Sequence, residues 1–473
     1  MSALPDDDRL DRARLEADPV ADFAVARLLA PCWSVQGLTL TLDQALSPLE
    51  ARVALVNAAL SSWQTNADIA RWVPPPGTPD DVAEVLSEYL IQTQTPPSWA
   101  RPDAVARAEH LFMEEGVLSC LLLFCASLPE CYVAPDLAEV LHTTGQWESR
   151  TEHRIRATAA MVFPVMMRGG LLAPSGGGRA QILKVRLIHA MVRHLILRGT
   201  PIERFREAAL PAWQPSAAAA AAAPSFVSSL LQRGWPQDAL GLPCNQEELA
   251  YTLLTFGYVM LRGLRTLGVP HAPDDERALL HTWNVMGALV GVRPDLMAHT
   301  MDEAAALFQR LQTRSRRRAL PQDPRPALGA ALMDSMARVI PWGLAKHWPV
   351  LMTRQLCGAS NASTIGLGPQ RAVPWASAWS YRVLRALTGG IDGWVRRVLP
   401  RFSLARMVGR LLGYHLMSGF LMDQTRPLRL PEGLRQQMQQ TVGHWGQDPA
   451  APGWVNRLED WWTGPGAWHA PRS

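Results

Sequence analysis

The stretch from Thr151 to Leu197 limits most sharply what this chain can fold into. It predicts two helices, one from Thr151 to about Pro164 and one from Lys184 to about Ile196, joined through a glycine-rich turn at Ser175 to Gly178. From Ala157 to Met167 almost every residue is apolar, so the first helix has to be covered on all sides. Arg154 and Thr158 nevertheless sit on it as an i, i+4 pair. In the second helix Arg186, His189 and Arg193 recur at i, i+3 and i+7, so the three side chains leave one face. Guanidinium, hydroxyl and imidazole groups in such surroundings carry a desolvation cost that packing alone does not explain. The pattern reads as a cofactor pocket.

Composition narrows the setting. With 473 residues, 48% hydrophobic and 19% charged, the chain is long enough for a large core and too apolar to be disordered. The net charge of +4 is spread along the sequence, without a basic stripe interleaved with aromatics, which speaks against nucleic-acid binding. Lysine occurs only at Lys184 and Lys346, so nearly all positive charge is arginine. The cysteines at 32, 120, 125, 131, 244 and 357 show neither CxxC nor zinc spacing and are expected reduced and buried. The longest apolar run, Val117 to Ala126, is about half of the ~20 residues a transmembrane helix needs, so we read it as a core helix and expect no transmembrane segment. The acidic Asp6 to Asp8 start lacks the features of an export signal, and a cytoplasmic location is expected.

Strand signals are scarce and helical periodicity covers most of the chain, so the expected fold is all-α. We divide it into an N-terminal helical extension at 1–100, a helical core at 101–320 that holds the expected cofactor pocket, and a C-terminal helical extension at 321–473. Ser47-Pro48 is expected to start a helix, and Asn66 to Asp68 to cap another. Arg314 to Arg318 is expected to be a solvated helix end. Five tryptophans between Trp445 and Trp468 suggest a tail docked onto the body, with peripheral membrane contact as the alternative.

Phosphate-binding, hydrolase, zinc-protease and EF-hand motifs are missing, and no two carboxylates share the central apolar helices. Histidine remains. A haem iron needs a neutral imidazole on one side, donors or cations at the propionates, and apolar walls. His189 offers the first, Arg186 and Arg193 are placed for the second, and Arg154 and Thr158 could face bound oxygen. A hydrogen-bonded core histidine, with arginines capping carbonyls, is the structural alternative.

The run Arg154 to Thr158, followed about thirty residues later by Arg186 to Arg193, resembles the latex-clearing protein family of rubber oxygenases, and is similar to fungal oxygenases that shorten prenyl chains. The likeness runs from about Arg107 to Gln312 and includes Glu247 to Gly257. It implies a globin-like helical core, one non-covalent haem b, and dioxygen-dependent cleavage of a carbon–carbon double bond in an isoprenoid or terpenoid substrate. By the same resemblance His189 is the proximal iron ligand, Arg154 and Thr158 are distal residues, and Glu139 corresponds to a distal glutamate by approximate spacing. Rubber-cleaving members carry a lysine just before the distal threonine, where this chain has Ala157. Two other classes remain open: a globin-like haem sensor or peroxidase, and a cofactor-free helical interaction protein.

Overall fold

The computed structural model describes residues 4–144, 158–159, 161–204, 209–217, 225–269, 271–316, 318, 320, 322–398, 412–413, 416 and 457. Among them the all-α expectation holds: the only strands are the two-residue antiparallel pair Ser34–Val35 (β1) and Leu38–Thr39 (β2). The N-terminal part runs through α1 (Asp7–Ala13), α2 (Pro19–Trp33), α3 (Leu42–Leu60), α4 (Asn66–Ala70) and α5 (Asp80–Thr93). Then follow α6 (Pro102–Glu114), α7 (Gly116–Leu122), a π-helical turn (Leu123–Ser127), α8 (Leu128–Val133) and α9 (Pro135–Thr144). The second central helix is α10 (Gly178–Leu197), followed by α11 (Phe226–Gln232), α12 (Gln246–Phe256), α13 (Tyr258–Thr266), α14 (Pro273–Val290) and α15 (Met301–Ser315). The chain continues through α16 (Arg325–Val339), α17 (Trp348–Thr364) and α18 (Trp375–Val398).

Two apolar clusters form the interior. One joins α2, α3 and α5 to α10 and α11, and the other joins α6 to α8 with α12 to α17. Helix α10 belongs to both, with Leu183, Leu187 and Leu195 in the first and Ile182 in the second. A helix in such a seam must be apolar around most of its circumference, which is why its few polar side chains are informative. The apolar run from Val117 lies within Gly116–Val133, which is long and apolar enough to cross a membrane but is wholly buried here.

Three local expectations change. Pro48 lies inside α3, which starts earlier because Thr41 accepts from the Gln44 amide and Gln44 accepts in return from the Thr41 amide. That reciprocal cap fixes the first turn before the proline is reached. Asn66 is not a cap either, since Thr65 and Asp68 cap α4. In the Arg314 to Arg318 end, Arg314 and Arg318 are not solvated: Arg314 pairs with Asp7, Asp11 and Glu247, and Arg318 with Asp136 and Glu247, while Arg316 is exposed and Arg317 lies outside the described residues. Glu247 is buried, so the arginines answer carboxylates delivered by α1, α9 and α12 rather than water.

Asn66 instead clamps the turn between the two central helices. Its fully buried amide donates to the carbonyls of Gly170 (3.0 Å) and Ala173 (2.7 Å), and its Oδ1 accepts from the Arg179 amide (3.0 Å) at the start of α10. One side chain thus satisfies an orphan helix donor and two turn carbonyls. The turn folds back so tightly that a Cβ on Gly170 would stand 1.9 Å from the Pro164 carbonyl oxygen, and one on Gly176 2.2 Å from that of Gly169. Removing the Asn66 amide strands several buried groups, each at about 1–3 kcal/mol. Asn66→Ala is expected to lower unfolding stability by about 3 kcal/mol, seen as a lower urea midpoint at unchanged slope; a shift below about 1 kcal/mol would show the turn to be self-supporting.

Candidate active site

The face of α10 that carries Arg186, His189 and Arg193 looks onto α2 and the start of α12. Arg186 makes a two-point ion pair with Asp18, with Nη2 2.8 Å from Oδ1, and Nη1 donates to the Leu289 carbonyl at 3.2 Å. Arg193 is fully buried and donates from Nε to Asp22 (2.8 Å) and from Nη1 to the carbonyls of Pro243 (3.1 Å) and Cys244 (2.6 Å). Both aspartates are themselves buried. Burial pushes the Asp22 carboxyl above the usual carboxylate range even against the pull of Arg193.

These pairs correct one expectation. Arg186 and Arg193 are not left free for the carboxylates of a cofactor: Asp18 and Asp22 hold them, and of the Arg193 donors Nη2 alone lacks a hydrogen-bond partner. The neighbourhood is built for this. Gly291 ends α14 with φ +97°, and a Cβ there would lie 2.6 Å from Asp18 Oδ2 and 3.1 Å from Arg186 Nε. Asp18 also caps α2, and Asp22 accepts from the Asp18 amide at 3.1 Å, so the two carboxylates lock each other.

Between the two pairs sits His189. Its Nδ1 is shielded from solvent and has no hydrogen-bond partner. Burial, with the Arg193 cation adding to it against the opposing pull of Asp18, brings its pKa down to about 4. The ring is therefore neutral at neutral pH. His194, on the same helix, behaves differently: its Nε2 accepts from the Trp33 indole at 3.1 Å, as a satisfied core histidine does. Of the two, His189 is the one with a basic nitrogen to spare, and this fits an iron ligand. Behind the Arg193 guanidinium lies Glu248, a carboxyl that burial holds well above its ordinary pKa; Asn245 donates to its Oε1, while Oε2 has no partner.

Of the distal residues, Arg154 and Ala157 lie outside the described residues. Thr158 is half-buried, one turn before the helical segment 161–166. Glu139 is buried on α9 and accepts from Arg233 Nε at 2.6 Å, a partner the sequence reading missed. The structure thus brings Arg186, His189 and Arg193 together on α10 and places Glu139 in an ion pair of its own. Asp18 and Asp22 were missed as well, although two carboxylates at i, i+4 on an otherwise apolar helix are a signal of buried partners. An apolar cavity on the far side of the 161–166 segment is lined by Phe112, Ser119, Phe163, Phe256 and Trp283. At ≈ 10 Å³ it has room for at most one water.

Three comparisons bear on this geometry. A sequence model of the family described as "ER-bound oxygenase mpaB/B'/Rubber oxygenase, catalytic domain" matches residues 117–452. The rubber oxygenase of Streptomyces sp. (strain K30) is 23% identical over 315 residues, a match that covers 66% of this chain and 64% of that protein. A solved latex clearing protein in its closed state superposes with a TM-score of 0.55 at 18% identity, over 91% of this chain and 90% of the other. That likeness establishes a common fold.

Two outcomes follow from the geometry. Arg193→Met leaves Asp22 buried without its cation, and breaking such a pair costs about 3–5 kcal/mol, so chemical denaturation is expected to show a loss of that size. Full stability in the variant would mean that Asp22 finds another partner. For His189 the folded pKa of about 4 lies below the ordinary histidine value of 6.5, so the unfolded chain takes up the extra proton in between. The histidine's part of the stability is fully present above pH ~6.5 and is lost as pH falls toward ~4. In the chain without cofactor, His189→Phe is expected to flatten the stability profile across that window, and parallel profiles would sink the assignment.

Proposed function

We propose that this chain, which belongs to the family of the ER-bound oxygenase mpaB/B′ and rubber oxygenase catalytic domains, is a haem b-dependent oxygenase that splits a carbon–carbon double bond of an isoprenoid or terpenoid substrate with dioxygen. The observation that carries the haem assignment is the neutral His189 ring with an unpartnered, buried nitrogen on a helix inside the matched region. Its σ-donor lone pair is free of protons at neutral pH, as an iron ligand requires. A bound haem would supply the redox chemistry of dioxygen. Overall, one alkene and one dioxygen become two carbonyl fragments, with one oxygen atom in each.

The chain's own residues then take distinct parts. His189 would hold the iron, and the flanking ion pairs of Arg186 and Arg193 fix the rotation of α10, which carries it. Thr158, with Arg154, is assigned to the oxygen side, where a hydroxyl and a guanidinium stabilise developing negative charge. Glu139, its Oε1 held by Arg233, is the carboxylate we assign to removing and returning an allylic proton.

The test uses one purification series. Wild type expressed with haem supplied is expected to show a Soret band and to convert members of a terpenoid panel to carbonyl products. His189→Ala is expected to purify with little haem, because a non-covalent haem loses its main anchor. Thr158→Ala is expected to keep the Soret band and lose activity by about 100- to 1000-fold, the usual effect of removing one preorganised donor. A wild type that binds haem and leaves every substrate intact favours the globin-like haem sensor or peroxidase instead. Absence of a Soret band, or an unchanged band in His189→Ala, overturns the assignment.

A further inference from the structure

Far along the chain from His189, one face of α18 has an unusual surface. From Ser335 to Ile391 the sequence contains no aspartate or glutamate; of its cations Arg371 is paired with Asp334 and Arg354 donates to backbone carbonyls, while Lys346, Arg382 and Arg385 are exposed. Helix α18 turns Ser377 and Tyr381 inward: the Tyr381 ring lies 6.2 Å from that of Trp348, and the Trp348 indole donates to Ser380 at 3.1 Å. The opposite face carries Trp375 and Trp379, 81% and 61% exposed, followed by the exposed Arg382 and Ala386. Positions 375, 379, 382 and 386 form one stripe at i, i+4, i+7 and i+11. The 3-10 turn Gly343–His347, which packs against α18, exposes Leu344 and Lys346.

Single exposed hydrophobic residues need no explanation, but two tryptophans one turn apart, with cations around them and no carboxylates in the stretch, do. Indole rings partition to the headgroup level of a bilayer, where the apolar body is covered and the N–H stays hydrated. Arginine and lysine beside them meet lipid phosphates and carboxylates. Exposed cations beside the indoles, with no acidic residue on α18 before Asp392, suit a uniformly anionic surface. We propose that this face of α18, with the adjoining 3-10 turn, docks the protein onto an anionic lipid bilayer. The proposal goes beyond the oxygenase reading and does not depend on it.

The full chain is sedimented with vesicles of phosphatidylcholine alone and of phosphatidylcholine with phosphatidylserine. It is expected to pellet with the second and not the first, and to be released as salt shortens the screening length. Trp375→Ser with Trp379→Ser is expected to weaken binding at least about tenfold. Arg382→Gln with Arg385→Gln is expected to weaken it roughly 30-fold, at about fivefold for each charge near the surface. Val73→Ser, which removes an equally exposed apolar residue outside the stretch (78%), is expected to change nothing. Melting curves check that the variants fold, and should the tryptophan pair unfold, the arginine pair decides alone. A wild type that stays in the supernatant, that binds both vesicle types equally, or whose arginine variant pellets like wild type overturns the proposal; the exposed face would then belong to a protein surface or to this chain itself.

Discussion

The orientation of the central helix depends on two ion pairs taken out of water, Asp18 with Arg186 and Asp22 with Arg193. Replacing such a pair by well-packed apolar residues often leaves stability unchanged, so stability alone is a weak reason for it. Geometry is a better one. The arginines are seven residues apart on α10, about 10 Å along the axis, and the aspartates four apart on α2, about 6 Å. One pair would fix a point of contact and leave α10 free to roll. Two pairs of unequal span fix both the roll and the crossing of the helices, and His189 lies between them. An apolar seam could not do this, because apolar contacts tolerate rotation by a fraction of a turn.

The same logic operates at the start of α10. The chain enters through a turn in which carbonyls stand where a Cβ would go, so only glycine can supply residues 170 and 176. Such a turn leaves backbone groups pointing inward. Asn66 gathers them, and the Asn66 and Ala67 amides donate in turn to the carbonyls of Gly176 and Pro174. The N-terminal helices therefore brace α10 at its beginning through Asn66 and along its length through Asp18 and Asp22. Helix α10 is held polar group by polar group, while its apolar faces are shared between two cores.

Much of this was legible in the sequence, and the limits have a physical cause. Periodicity predicts the helices, and spacing shows that Arg186, His189 and Arg193 share a face, because both are local properties. What that face meets is not local: the partners of Arg186 and Arg193 lie 168 and 171 residues away. Arginines without visible partners were therefore assigned to a cofactor at 186 and 193, and to water at 314 and 318. Each error has the same form, a long-range carboxylate that no window of sequence contains. Asn66 and Pro48 failed for a related reason, since a nearby capping box outcompeted the residue that looked like the signal. The family was legible because its motif is read from short local spacings, Arg154 to Thr158 and Arg186 to Arg193, which a sequence contains in full.

The electrostatics around His189 give the last step. A histidine kept only for packing tends to gain a hydrogen bond, as His194 does from Trp33. His189 has a buried nitrogen without a partner, a state that costs about 1–3 kcal/mol and that selection for stability alone would remove. The Arg193 cation opposes protonation, and Asp18, the carboxylate that would favour it, is already engaged by Arg186. The net effect is an imidazole that stays deprotonated through the physiological range without hydrogen bonding at Nδ1. Departures of this kind from local consistency concentrate at functional sites. Here the departure leaves one electron pair available, on a helix whose rotation two ion pairs have already fixed, and this is the arrangement a metal ligand on a non-covalent cofactor needs.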